Sequence, residues 1–197
     1  PFKSSIELMP LPSKVIILGH IGRLTHWKGQ HLLIDAFSRL CKNNENLYLL
    51  LIGSSEMGNR NYEIFLKDLI KKNNIQNKVI LTGYRTDIPN MLSIMDVFIY
   101  PSLEKDTSPL SLVSALSFGL PCIVSDIDSL KDTYNNCNHV EVFPIENIEL
   151  LVQKINKNLI NDSKSELGKN IRNWAHKRFD SKVVNKKIES IIYKLCK

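Results

Sequence analysis

Residues 15–40 read VIILGHIGRLTHWKGQHLLIDAFSRL and combine a strand pattern, a loop and a helix pattern. The opening residues, Val15 to Gly19, are an apolar, β-branched run of the kind that forms a buried strand. From Gly29 to Leu40 the apolar residues recur at helical spacing, which predicts a helix with one apolar side. A short loop that contains glycine, arginine and lysine joins the two.

The same alternation continues along the chain. Further strands are predicted at residues 47–52, 79–81, 97–100 and 122–124, with a weaker one at 140–143. Helices are predicted between residues 61 and 73, at 88–94 and at 110–118, and the pattern is helical from 147 onward. Apolar strands separated by helices indicate a parallel sheet covered on both faces. We therefore predict an α/β fold, a Rossmann-like doubly wound sheet of about six strands, with its ligand at the carboxyl ends of the strands.

Composition narrows the class of protein. The chain has 197 residues, of which 43% are hydrophobic, with 8 Gly and 8 Pro, so disordered and collagen-like chains are excluded. No apolar run approaches the roughly 18 residues of a membrane span, and no signal peptide is evident. The chain begins with Pro1, and we expect a piece of a longer protein in which residues 1–13 are an interdomain connector and 14–197 form the ligand-binding domain.

Charge and cysteine usage bear on partners and location. A net charge of +6 favours anionic partners, although a lysine-rich solvated surface explains much of it. The four cysteines lack metal-ligand spacing and are expected to be reduced thiols in a cytoplasmic protein. Asp126-x-Asp128 resembles a metal-binding pair, but it follows a buried strand and is interpreted as a loop without metal.

The loop after the first predicted strand is the first candidate site. It places Arg23 and Lys28 between a glycine-containing turn and the start of a helix, an arrangement suited to a diphosphate. The alternative is two solvated cations on a surface loop. The glycine spacing fits neither a dinucleotide fingerprint nor a P-loop, which disfavours nicotinamide binding and nucleoside triphosphate hydrolysis. His20 and His26 flank this loop and are expected to be exposed, or else to touch substrate.

The segment from Tyr100 to Leu110 is the second candidate. Ser108 and Pro109 are predicted as the N-cap and first turn of the helix from Leu110, whose positive end then points at the same sheet edge. Glu104 and Asp106 precede that end. Either carboxylate could stabilise the helix or accept hydrogen bonds from sugar hydroxyls.

The residues in and around these two loops resemble a known family. The series Gly22-Arg23-Leu24, Lys28-Gly29 and Leu33-Ile34-Asp35-Ala36-Phe37 is similar to the GRL…KG…LLIEAF segment of retaining glycosyltransferases of the GT-B fold (glycosyl transferase group 1). The likeness continues in order through Leu51-Ile52-Gly53, Val79 to Arg85, Met95 to Ser102, Ala115 to Pro121 and Phe179 to Tyr193. It covers the carboxyl-terminal, donor-binding domain of the family and none of its acceptor-binding half.

The resemblance implies roles for particular residues. Arg23 and Lys28 would bind the donor diphosphate and stabilise it as it leaves, with Asp106 or Glu104 at the family's first acidic position. Tyr84 and Arg85 would lie near the base. The remaining donor contacts would come from Gly22 and from the loop and helix start at Thr107, Ser108, Pro109 and Leu110. Family members of this type need no metal and no cofactor.

One position departs from the family pattern. The family's second glutamate, which accepts hydrogen bonds from the ribose hydroxyls, falls on Ser114. A serine loses one or two charge-assisted hydrogen bonds, worth roughly 1.5–3 kcal/mol each. Either the ribose is held otherwise, or donor binding is weak, or the domain is a degenerate, non-catalytic partner or scaffold.

The resemblance implies a hexosyltransferase that takes a nucleoside diphosphate sugar, UDP-sugars among them. The acceptor would be a glycan or a lipid-linked glycan in polysaccharide or lipopolysaccharide synthesis. Without its amino-terminal domain the chain is expected to be inactive, and in the full protein it would lie in the cytoplasm, with contact to the inner membrane face as a further expectation.

Two alternative hypotheses are a sugar-nucleotide epimerase and a nucleic-acid binder. The second lacks interleaved aromatic and basic residues, so no nucleic-acid partner is expected.

Overall fold

The computed structural model describes residues 15–55, 60–104, 106–107, 109–134, 137, 139–159 and 164–196. The proposed connector, residues 1–13, lies outside these ranges. The strands are β1 (Ile16–Ile21), β2 (Leu47–Ile52), β3 (Val79–Leu81), β4 (Val97–Tyr100), β5 (Cys122–Ser125) and β6 (Val140–Phe143). The helices are α1 (Gln30–Leu40), α2 (Asn61–Lys72), α3 (Ile88–Ser93), α4 (Leu110–Ser117), α5 (Asp128–Tyr134), α6 (Ile148–Leu159), α7 (Lys164–Phe179) and α8 (Ser181–Leu195). Short 3-10 helices span His26–Lys28 and Cys41–Asn43.

The six strands form one sheet in the order β3-β2-β1-β4-β5-β6, and each neighbouring pair is parallel. This confirms the predicted doubly wound, Rossmann-like architecture. The chain order reverses between β1 and β4, which are adjacent in the sheet. A crevice opens outside the carboxyl ends of the strands at such a switch point.

Side chains alternate between two apolar layers because successive residues of a strand point to opposite faces. In β2, Leu49 and Leu51 belong to the layer under α1, α2 and α6, whereas Leu50 and Ile52 belong to the layer under α3, α4, α5 and α7. Every residue of β2, β4 and β5 is buried. Burial on both faces explains why these strands read as continuous apolar runs in the sequence.

Helix α5 is the clearest element that the sequence pattern did not predict. The segment around Asp126 and Asp128 was expected to be a loop, but a helix begins at Asp128 and buries Leu130 completely. Its seven residues carry little apolar periodicity, so tertiary contacts rather than local pattern determine it. Within the described residues, no helix has the length and apolar character needed to cross a membrane.

At Gly29 the loop between β1 and α1 packs closely against the loop after β4. Its φ of +69° lies in the left-handed region, and a Cβ built there would stand 1.9 Å from the carbonyl oxygen of Pro101. A side chain at residue 29 would therefore push the two loops apart.

We expect Gly29→Ala to lower the free energy of unfolding by roughly 2–4 kcal/mol, because it combines left-handed strain with a backbone clash. Gly83→Ala is the matched control, since Gly83 has a φ of +71° but an added Cβ would meet no atom within 4 Å. Gly83→Ala should lower the free energy of unfolding by only about 1–2 kcal/mol, because it introduces the conformational strain without the clash. Urea unfolding of both variants measures the difference, and equal destabilisation would contradict the close approach of the two loops.

Candidate functional site

A cavity of about 430 Å³ opens at the carboxyl ends of β1 and β4. The loop between β1 and α1 forms one wall, and the segment between β4 and α4 together with the start of α4 forms the other. Its lining residues are Ile21, Gly22, Arg23, Trp27, Lys28, Tyr100, Asp106, Thr107, Leu110 and Ser111. The switch point of the sheet therefore holds a polar cavity with two cations and one carboxylate.

A buried ion pair joins the two walls of this cavity. Lys28 is 8% exposed and Asp106 is 7% exposed, and the Lys28 Nζ donates a hydrogen bond to Asp106 Oδ2. The ammonium also donates to the Tyr100 hydroxyl at 2.8 Å. The Tyr100 hydroxyl in turn donates to the same Asp106 oxygen. Burial and the neighbouring carboxylate raise the pKa of Tyr100 well above its usual value, so the phenol keeps its proton.

Trp27 provides an aromatic surface for both cations. The Lys28 Nζ lies 4.4 Å from the centroid of the indole ring, and the Arg23 Cζ lies 5.8 Å from it. Both distances are in the range of cation–π attraction. Arg23 is exposed, whereas Lys28 is buried, so the two cations differ in their access to solvent.

Backbone contacts fix the loop after β4 against its neighbours. The Leu103 N–H donates to the Trp27 carbonyl at 2.7 Å, which ties the two loops together. The Asp106 N–H donates to the Ser129 hydroxyl, 2.9 Å away on α5. The carboxylate of Asp106 is thus positioned from both sides of the cavity.

Six of the residues singled out from sequence line this cavity: Gly22, Arg23, Lys28, Asp106, Thr107 and Leu110. Of the two carboxylates considered for the first acidic position, Asp106 is buried at the cavity and Glu104 is exposed and outside its lining. Ser108 lies outside the described residues. Pro109 stands immediately before α4 rather than in its first turn, which corrects the expected position.

Three further predicted residues lie away from the cavity lining. Tyr84, 77% exposed, and Arg85 follow β3 on a neighbouring loop. The Arg85 guanidinium donates to both carboxylate oxygens of Asp87, at 2.8 and 2.7 Å, which fixes its orientation. Ser114 lies within α4, where its hydroxyl donates to the Leu110 carbonyl at 2.8 Å.

Sequence reasoning missed two residues that shape the site. Tyr100 begins the second candidate segment and Trp27 belongs to the first candidate loop, but the sequence assigns neither side chain a role in the site. A tyrosine at the last position of a strand predicted to end at a ligand site is the signal that marks Tyr100, because its hydroxyl must find a partner when buried.

His20 is a correction of another kind. It was expected on an exposed loop or against substrate, but it belongs to β1 and is fully buried. Its Nδ1 lies 2.9 Å from the Ile99 carbonyl, and its Nε2 lies 3.4 Å from the Gln30 amide nitrogen. Burial, reinforced by the positive charge of Lys28, lowers the pKa of His20 to about 4. His26 is exposed, as expected.

Among the residues that the structure describes, no three His, Cys, Asp or Glu side chains come together as a group that could hold a metal ion. The polar chemistry of the cavity is instead that of cations, hydroxyl groups and a helix amino terminus. These are the groups that bind phosphate oxygens in proteins.

The parallel sheet with a polar cavity at its switch point defines a doubly wound α/β protein with a ligand-binding crevice. The model of the family "Glycosyl transferases group 1" matches residues 5–177, and the chain belongs to this family. The resemblance found in the sequence is therefore confirmed.

Two relatives of the chain are named as glycosyltransferases. The chain is 32% identical over 145 residues to UDP-Gal:alpha-D-GlcNAc-diphosphoundecaprenol alpha-1,3-galactosyltransferase of Escherichia coli, covering 71% of this chain and 35% of that protein. It is 27% identical over 177 residues to the capsular polysaccharide biosynthesis glycosyltransferase CapM of Staphylococcus aureus, covering 89% of this chain and 45% of that protein. The chain thus spans less than half the length of these relatives.

Solved structures of GT-B glycosyltransferases share the fold. A glycosyltransferase from Rickettsia africae superimposes with a TM-score of 0.87 at 25% identity, covering 100% of this chain and 51% of that one. HepE from Anabaena, in complex with UDP-glucose, superimposes with a TM-score of 0.85 at 22% identity, covering 98% of this chain and 51% of that one.

The buried imidazole of His20 predicts acid sensitivity of folding. The folded pKa, about 4, lies below the ordinary value of 6.5, so the unfolded chain binds a proton first as the pH falls. The neutral imidazole of His20 therefore contributes its full share to the free energy of unfolding above pH 6.5. That contribution decreases as the pH falls toward 4, by about 2 kcal/mol between pH 7.5 and pH 5. Urea unfolding at both pH values should show this loss in the wild type and a smaller one in His20→Gln. An equal loss in both proteins would contradict it.

Proposed function

We propose that the chain is the donor-binding half of a retaining glycosyltransferase. It would hold a nucleoside diphosphate sugar while a hexose is moved to a glycan or lipid-linked acceptor. The observation that carries the proposal is the cavity at the switch point, where Arg23, Lys28 and the start of α4 converge on one space. The chain spans about half of the glycosyltransferase structures that share its fold, which fits one half of a two-domain enzyme.

In this proposal the diphosphate lies between the exposed Arg23 and the amino terminus of α4. In this arrangement the guanidinium forks two phosphate oxygens, and N–H groups of the first turn of α4, which have no acceptor within their own helix, donate to others. When the bond between the anomeric carbon and the phosphate oxygen breaks, negative charge grows on the leaving diphosphate. Cations and dipoles already fixed around that position stabilise the transition state more than the ground state.

Lys28 and Asp106 act as a unit. The carboxylate holds the ammonium at the cavity wall, and the hydroxyl groups of the sugar would lie beside this pair. Tyr100 restricts both groups by bonding to each. With cations and a helix amino terminus beside the diphosphate, the proposed site needs no metal ion, and none is proposed.

The base would lie toward the loop after β3. The Gly53 N–H donates to the Gly83 carbonyl at 3.0 Å, so this loop directly adjoins the end of β2, next to the cavity wall at Gly22. Tyr84 offers an exposed ring for stacking, and Arg85 is held in place by Asp87. UDP-sugars are the proposed donors, supported by the name of the E. coli relative and by the UDP-glucose complex of HepE.

The acceptor would be held mainly by the partner half of the enzyme. Helix α8 presents an apolar side at i, i+4, i+7, i+8 and i+11 spacing, formed by Val184, Ile188, Ile191, Ile192 and Leu195, each at least 37% exposed. An apolar stripe of this length on a surface helix marks a contact surface. We propose that the acceptor-binding half covers it. A role in surface polysaccharide synthesis is supported by the names of the E. coli and S. aureus relatives.

Calorimetric titration tests the donor site. The chain should bind at least one of UDP, ADP, GDP or dTDP at millimolar or lower concentration. Arg23→Ala with Lys28→Ala should weaken that binding at least 100-fold, because the Arg23 contact to the diphosphate is lost and the Asp106 carboxylate at the cavity loses its buried counter-charge. Lys186→Ala with Lys187→Ala on exposed positions of α8 is the matched control for lost charge. Absence of binding, or binding unchanged in the first double variant, would refute the proposal.

A second candidate function rests on Ser114. Its hydroxyl is turned back to the Leu110 carbonyl of its own helix, so α4 presents no carboxylate at the position where the family binds ribose. This favours a degenerate, non-catalytic GT-B module that serves as a partner or scaffold. Donor hydrolysis by the full-length protein separates the two candidates, because only an enzyme turns over the nucleotide sugar.

Ser114→Glu should raise the affinity for the bound nucleoside diphosphate about tenfold or more, since each hydrogen bond from a ribose hydroxyl to a carboxylate is worth roughly 1.5–3 kcal/mol. Ser190→Glu, on exposed α8, controls for the added charge. The same titration measures both variants. An unchanged affinity in Ser114→Glu would show that the ribose does not lie beside this turn of α4.

A further inference from the structure

Two buried polar side chains stand directly behind the loop that carries Arg23. His20 on β1 and Gln30, the first residue of α1, are both 0% exposed, and neither lines the cavity. Burial of an amide and an imidazole is costly unless each is hydrogen-bonded. Both ring nitrogens of His20 and the amide nitrogen of Gln30 have partners, whereas Gln30 Oε1 has none among the described residues.

Each hydrogen bond of these two side chains has a defined donor and acceptor. The His20 Nδ1–H donates to the Ile99 carbonyl of β4 at 2.9 Å, which leaves Nε2 as the acceptor of the neutral ring. The Gln30 Nε2 lies 3.4 Å from that acceptor and donates to the Arg23 carbonyl at 2.7 Å. Because both neighbours are acceptors, the NH₂ group of Gln30 must face them, and the amide orientation is defined.

Hydrogen bonds of the backbone on either side of Arg23 add to the contact from Gln30. The Gly22 N–H donates to the Ile52 carbonyl at 2.9 Å, and the Leu24 N–H donates to the Ser54 carbonyl at 3.0 Å. Gln30 holds the carbonyl between them, so the backbone direction at Arg23 has little freedom. A Cβ built at residue 22 would stand 3.1 Å from His20 Nε2, so the imidazole lies close to the Gly22 backbone and a side chain at residue 22 would press on it.

We propose that Gln30, oriented by His20, is a positioning residue that holds the Arg23 backbone so that the guanidinium meets the donor diphosphate without rearrangement. The inference rests on the proposed function, since it assigns a task to residues behind the proposed diphosphate site. A cation whose backbone is fixed in advance costs less ordering free energy on binding than one carried by a mobile loop. Gln30 itself makes no contact with the ligand.

A double-mutant cycle tests the proposal. UDP, or whichever of ADP, GDP and dTDP binds most tightly, is titrated into the wild-type chain, Gln30→Leu, Arg23→Ala and the double variant. Gln30→Leu should weaken binding about tenfold, and it should add less than twofold in the Arg23→Ala background. The slope of log Kd against log salt should flatten in Gln30→Leu as it does in Arg23→Ala, because the same ionic contact is lost.

Controls separate positioning from general damage. Gln153→Leu makes the same substitution at an exposed site on α6 and should leave affinity and salt slope unchanged. If Gln30→Leu fails to fold, Gln30→Met replaces it at the same position. Additive losses in the cycle, or a salt slope unchanged by the Gln30 variant, would overturn the proposal. Failure of the wild-type chain to bind any of the four nucleotides would instead overturn the proposed function.

Discussion

A buried ammonium group connects the two halves of the sheet at the candidate site. Lys28 comes from the loop after β1, and its partners Asp106 and Tyr100 come from the end of β4 and the loop that follows it. A charge with so little exposure is tolerable only when it is paired and hydrogen-bonded, since desolvation otherwise costs several kcal/mol. The arrangement of both loops is therefore coupled to this single contact, and a change that separates them leaves a buried charge unpaired.

The strand order explains why this contact exists at all. Because β1 and β4 are neighbours while their following helices cover opposite faces of the sheet, their loops diverge and leave a crevice between them. The glycine at residue 29 and the Leu103–Trp27 backbone hydrogen bond bring the loops close enough for Lys28 to cross the crevice. The topology supplies the space, and a few short contacts determine its shape.

The amino-acid pattern predicted β2, β3, β4 and β6 with their observed bounds, because strands that lie in the interior of a parallel sheet, or pack against its core, read as apolar runs. It also identified Arg23, Lys28 and Asp106, whose side chains lie at strand ends. It did not predict the role of His20 or Tyr100. Both belong to strands, and the spacing of apolar residues in a strand does not reveal hydrogen bonds to other segments. His20 bonds to a residue about 80 positions away and Tyr100 to one 6 positions away. Such partners follow from tertiary structure alone.

The electrostatics of the cavity differ from what the overall charge of +6 suggests. Among the described residues that line it, Lys28 and Asp106 form an ion pair and their charges offset each other, and the other cation is Arg23, near the partial positive charge at the start of α4. A site with so small a surplus of positive charge attracts a diphosphate weakly at long range. Its affinity must come from contacts that are short and correctly directed before the ligand arrives. In the proposed donor complex, affinity then depends on how the hydrogen bonds hold the backbone around Arg23 more than on the number of basic residues in the chain.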